Sequence, residues 1–95
     1  MISYVYILLC SDNTFYTGIT SNLEKRIEEH QMGKHFNSYT ARRLPIELVY
    51  YSTFTDITIA ITFEKKIKKW SRTKKIALIN KNLDLLPNLS KKQFK

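Results

Sequence analysis

The sequence predicts an α+β fold, a three-stranded antiparallel sheet flanked by helices in the order β-β-α-β-α-α. Two aromatic and β-branched runs separated by the turn-forming "SDNT", and a third such run after Pro45, supply the strands. Apolar residues at helical spacing between and after them supply the helices. A chain of 95 residues is enough for one domain and too short for two.

"SYVYILLC" (3–10) is apolar on both faces, the pattern of a central strand covered on both sides. "SDNT" (11–14) is a turn by composition, and "FYTGI" (15–19) is the returning strand, so residues 3–19 read as a hairpin. "SNLEKRIEEHQMG" opens a helix with Ser21 or Asn22 as N-cap and stops it at Gly33. Leu23, Ile27 and His30 recur at i, i+4 and i+7 and define its inward face. "KHFNSYTARR" (34–43) is a polar, basic loop without periodicity, and "IELVYYSTF" (46–54) is the third strand.

"TDITIAITFEKKIKKW" (55–70) is ambiguous. Ile57, Ile59, Ile61 and Phe63 alternate like a strand, whereas Ala60, Phe63, Ile67 and Trp70 form one helical stripe. With Thr55 or Asp56 as N-cap, a helix over 56–70 is preferred, against the cost of its β-branched residues. A third, basic helix follows. The domain spans 1–81, and residues 82–95, mixing Leu with Lys, read as a loosely held basic tail.

Composition excludes several classes. Hydrophobic content of 43% with two glycines and two prolines argues against disorder. No run approaches 18 apolar residues, so no membrane span is expected. The start, "MISYVYILLCSD", lacks a basic region and a small-residue cleavage site, which points away from a signal peptide and toward the cytoplasm. Cys10 stands alone in an apolar run; it excludes an internal disulfide and reads as a small core residue. A net charge of +8 and a pI near 9.7 make a polyanion partner a candidate. Lys65, Lys66, Lys68, Lys69, Arg72, Lys74 and Lys75 form a dense basic block, while Glu24, Glu28 and Glu29 cluster on the first helix.

Five residues carry possible chemistry. Arg26 and His30 lie one turn apart beside the hairpin that holds Tyr6 and Tyr16. Glu64 lies four residues after Ala60 and three before Ile67, inside the apolar stripe. A carboxylate there is costly unless it meets a cation, a metal or several donors. A salt bridge to Arg26 or a lysine satisfies it structurally; a metal ion or a general-base role satisfies it functionally. Cross-strand packing explains Tyr4, Tyr50 and Tyr51 well, and Tyr6 and Tyr16 less well. Because side chains alternate along strands, a two- or four-residue turn puts Tyr6 and Tyr16 on opposite faces. A shared site therefore predicts an odd connection or a bulge between Cys10 and Tyr16.

Tyr4-Val5-Tyr6, ten residues from tyrosine to tyrosine, then Tyr16-Thr17-Gly18 resembles the signature of the GIY-YIG nuclease superfamily, with Tyr4 in place of the first glycine. "GITSNLEKRIEEH" resembles the family's following helix, with Arg26 at its arginine, and "AITFEKKIKKW" resembles the helix bearing the metal-binding glutamate, matched by Glu64. The likeness runs from about Tyr4 to Ile79 and is to small stand-alone bacterial members. It implies phosphodiester hydrolysis with a single Mg²⁺ or Mn²⁺ held by Glu64. Arg26 would stabilise transition-state charge, and Tyr6 and Tyr16 would position the attacking water, one of them as general base made acidic by the metal and Arg26. His30 would accept or relay the proton, and Gly18 would let the backbone approach the phosphate.

Lys34, Arg42 and Arg43 in the loop and Lys65, Lys68, Lys69 and Arg72 on the later helices are the expected phosphate contacts, which give affinity without sequence choice. The expected partner is nucleic acid, DNA before RNA, bound by a monomer. The family's asparagine, about one helix beyond the glutamate, has no clear match: Ile76 stands twelve residues on, with Asn80 and Asn82 nearest. Either Asn80 substitutes or the role is unfilled. Two functions follow, a metal-dependent DNA endonuclease directed to damaged or branched DNA in repair, or a nucleic-acid-binding module that kept the fold without turnover.

Overall fold

The structure, a computed structural model, describes residues 1–33 and 39–81. The first two apolar runs form β1 (Ser3–Leu9) and β2 (Phe15–Thr20), which pair antiparallel. Five residues join them, the odd connection that a shared site requires. The Asp12 carboxylate accepts from the Thr14 hydroxyl at 2.6 Å and the Thr14 amide at 3.2 Å, and Asn13 takes a φ of 68°, which asparagine tolerates. The register pairs Tyr6 with Gly18 and Leu8 with Tyr16, so Tyr6 and Tyr16 share a face.

Helix α1 (Leu23–Gln31) starts at Asn22, whose side chain accepts from the Lys25 amide at 3.1 Å. Strand β3 (Glu47–Phe54) pairs with the other side of β1, giving the order β2-β1-β3. Ile7 pairs with Tyr50 but Leu8 pairs with Leu48, leaving Val49 as a bulge, and both Val49 and Tyr50 are buried. Helices α2 (Ile57–Lys68) and α3 (Arg72–Lys81) complete the predicted order.

The ambiguous segment is helical, two residues shorter at its C-terminal end than expected. Asp56 caps it, accepting from the Thr58 amide at 2.8 Å, and the helical stripe wins the core: Ala60 and Ile67 are buried. The strand-like alternation leads nowhere, since Ile57, Ile59 and Ile61 are 54%, 57% and 40% exposed.

The sheet lies between two apolar layers. On one face Val5, Ile7, Val49 and Tyr50 meet Ala60, Ile67 and Ile79 of α2 and α3. On the other, Tyr6, Leu8, Cys10 and Ile46 meet Leu23 and Ile27 of α1, with Tyr16 packed at the margin. Each fully buried aliphatic side chain contributes about 1.5–3 kcal/mol, so both layers are needed in so small a domain. Among the described residues no helix is long and apolar enough to cross a membrane. The expectations for Lys34, Asn82 and the 82–95 tail lie outside the described residues.

Candidate active site

Tyr6 projects from the middle strand, and its ring lies across Gly18 of β2. A methyl group at Gly18 would sit 2.5 Å from Tyr6 Cζ and 3.0 Å from Cε1. Gly18 therefore makes room for the phenol. On the side where a Cβ would stand, the space over this glycine is filled by Tyr6.

The Tyr6 hydroxyl shares a hydrogen bond of 3.0 Å with His30 Nε2, and His30 Nδ1 shares one of 2.6 Å with Thr40 Oγ1. Tyr16 closes the cluster, its ring 6.3 Å from that of Tyr6 and 5.2 Å from the imidazole. Tyr6, Tyr16 and His30 thus converge as anticipated, from β1, β2 and the last turn of α1.

Burial is the largest influence on the Tyr6 phenol and pushes its pKa far up, and Tyr16 adds to this. Arg26 acts in the opposite direction, while Glu29 and Glu64 raise it further. At Tyr6 the guanidinium of Arg26 thus favours the phenolate, the direction the resemblance implies for one of the two tyrosines, while burial opposes it.

Glu64 is on α2, which packs across the opposite face of the sheet from α1, yet its charge is felt at Tyr6. Its side chain is 12% exposed and pairs with Lys68 Nζ at 3.3 Å. The cation that satisfies this half-hidden carboxylate is a lysine one turn away. Arg26 instead pairs with Glu29 at 3.7 Å and lines a polar cleft of about 350 Å³ with Thr20, Asn22 and Lys25. A larger groove of about 650 Å³ lies on the other flank of α1, where Glu24 and Glu28 make it a poor phosphate site.

Residues 2–77 match the family model of the GIY-YIG catalytic domain. The chain belongs to the GIY-YIG catalytic domain family. A "UPF0213 protein" of Syntrophus aciditrophicus is 46% identical over 80 residues, covering 84% of this chain and 92% of that one. Another, of Natronomonas pharaonis, is 45% identical over 76 residues, covering 80% and 88%. The solution NMR structure of a UPF0213 protein from Bacillus halodurans is 40% identical, covers 84% of each chain and superposes with a TM-score of 0.56. In this GIY-YIG domain the two signature triplets are cross-strand neighbours, and the glycine of the second lies beneath the last tyrosine of the first.

Arg43 is held at the turn between β1 and β2. Its Nε donates to Asp12 at 2.9 Å, its guanidinium donates to the Tyr39 carbonyl at 2.8 Å, and it lies 3.7 Å over the Tyr39 ring. These contacts tie the loop to the β1–β2 turn. Arg72 lies over Phe15 and donates to the Asn13 carbonyl. Arg42, Lys65, Lys68 and Lys69 are exposed, as is Asn80 on the last turn of α3.

Thr40 and Tyr39 carry no signal in the sequence, and Glu29 stands there only as one of three clustered acids. Thr40 is buried against His30, Tyr39 stacks on Tyr16 at 6.1 Å, and Glu29 holds Arg26. The first two come from a loop without periodicity, where no pattern marks a buried position. Glu29 was legible as an i, i+3 partner of Arg26.

Among the described residues no group of three His, Cys, Asp or Glu side chains could enclose a metal. A single carboxylate suits a hard divalent cation that keeps most of its water. Glu64, largely enclosed and paired among the described residues with the exposed Lys68, has the chemistry of that role.

Proposed function

We propose that this chain is a divalent-metal-dependent endonuclease that hydrolyses phosphodiester bonds in DNA, acting as a cytoplasmic monomer on branched or damaged sites. The observation that carries the proposal is the convergence of the Tyr6 phenol, the Tyr16 ring and the His30 imidazole.

Glu64 is the residue that would hold one Mg²⁺ or Mn²⁺, which supplies charge neutralisation at the phosphate and at the leaving oxygen. Lys68, paired with Glu64, turns to a phosphate oxygen when the carboxylate is otherwise engaged. Arg26, in its polar cleft, meets the extra negative charge of the transition state with a permanently charged fork of donors. Tyr16 and Tyr6 orient the attacking water. Lys65, Lys69, Arg42 and Arg72 hold the flanking backbone, which favours DNA geometry over sequence.

Two observations favour the binding-module reading: Glu64 already has a cation, and Ile76 stands where the family resemblance leads one to look for asparagine. Cleavage of supercoiled plasmid and of branched DNA with Mg²⁺ or Mn²⁺ decides between them. Wild type is expected to cut, and Glu64→Ala and Arg26→Ala to lose at least about a hundredfold in rate. Salt-sensitive binding without cleavage by wild type establishes the binding module instead.

A further inference from the structure

From the Tyr6 phenol a hydrogen-bonded line runs through buried groups: Tyr6 Oη to His30 Nε2 at 3.0 Å, then His30 Nδ1 to Thr40 Oγ1 at 2.6 Å. All three residues are buried, at 2%, 4% and 1% exposure. They come from β1, α1 and the loop before β3, so the fold brings them together across sequence separations of 24 and 10 residues.

A neutral imidazole has one N–H and one lone pair, and each neighbour can in principle take either. Acidity decides between the two arrangements. A phenol is a far stronger acid than an alkyl alcohol, and its oxygen, whose lone pair is shared with the ring, is the weaker acceptor. The better-matched chain has the Tyr6 O–H donating to Nε2 and Nδ1–H donating to Thr40.

We infer that Thr40 is a positioning residue whose hydroxyl oxygen accepts Nδ1–H, fixing the His30 tautomer that leaves Nε2 free to take the Tyr6 proton. This deepens the endonuclease reading and rests on it for its catalytic consequence. As the attacking water gives a proton to Tyr6 Oη, the Tyr6 O–H bond breaks and an Nε2–H bond forms. The phenol is never required to exist as a free phenolate, and His30 becomes an imidazolium still held by Thr40. Such a concerted hand-over suits a phenol whose burial opposes ionisation. Among the described residues Tyr6 and Tyr16 from the sheet and Thr40 from the loop face His30, while Arg26, Glu29 and Glu64 act on the phenol.

The test uses the full chain, with ¹⁵N–¹H correlation spectra of the His30 ring at a pH where it is neutral, alongside plasmid cleavage with Mg²⁺ and DNA affinity. Wild type is expected to carry its proton on Nδ1. Thr40→Val is expected to shift the tautomer toward Nε2–H and to lower kcat by about 10- to 100-fold with DNA affinity unchanged; Thr40→Ser is expected to recover most of the rate. A wild-type ring protonated on Nε2 overturns the proposal without any variant, and so does a Thr40→Val protein with unaltered tautomer and kcat. If wild type never cuts but Thr40→Val changes the tautomer, the positioning role stands and the endonuclease reading fails.

Discussion

A phenol enclosed by the sheet and α1, bonded to an imidazole and beside a second phenol, holds its proton more tightly than tyrosine in an open chain, where the pKa is about 10. Below that pH the folded and unfolded states both keep the Tyr6 proton, and the shift has no effect on stability. Above about pH 10 the unfolded chain releases it while the folded chain retains it, so unfolding is favoured progressively as pH rises toward the folded value. Urea unfolding of wild type between about pH 8 and 11 is expected to show a midpoint that falls more steeply than that of Tyr6→Phe, which lacks this one proton. Parallel midpoints would show that Tyr6 ionises as it does in an open chain. The same enclosure explains Gly18: the methyl group of an alanine would collide with the ring, an overpacking that generally costs about 1–3 kcal/mol.

At the level of elements, strand β2 contains a flaw that can be measured. Thr17 is buried on the face packed by α2, and its hydroxyl has no hydrogen-bond partner among the described residues. A buried hydroxyl of that kind costs about 1–3 kcal/mol, and valine has nearly its shape with a strand-favouring branch. Thr17→Val is expected to raise stability by about 1 kcal/mol in urea denaturation; a loss would reveal a partner that the hydroxyl finds in solution. How much of each element was legible follows similar lines. The α2 boundary could be read because Asp56 and the Ala60–Ile67 stripe are local signals, and they outvoted three isoleucines that alternate. Asn22 and Gly33 marked α1 for the same reason. The bulge at Val49 could not be read, since it arises from pairing with β1 that no single strand encodes. The site divides along the same boundary. Tyr6, Tyr16, Arg26, His30 and Glu64 sit on regular elements whose phase can be counted. Thr40 and Arg43 sit in a loop, and their partners, His30 and Asp12, are 10 and 31 residues away.

Across the whole molecule, charge is unevenly placed. Among the described residues exposed basic side chains gather on α2 and α3, with Lys65, Lys66, Lys68, Arg72, Lys74 and Lys81, whereas Glu24 and Glu28 line the groove beside α1. A nucleic acid lying along α2 would therefore pass Lys65 and Lys69, both exposed, on its way to Glu64. Each phosphate neutralised releases condensed counterions, so the logarithm of affinity falls linearly with the logarithm of salt, by about 0.9 per contact on duplex DNA. Neutralising one such lysine lowers that slope by about 1 and weakens binding uniformly across sequences. The Lys65→Gln, Lys69→Gln double variant is expected to reduce the slope by about 2, measured by fluorescence anisotropy between about 50 and 200 mM salt. An unchanged slope with unchanged affinity would mean that the duplex avoids α2, leaving Glu64 off its path and the carboxylate with Lys68 as a purely structural partner.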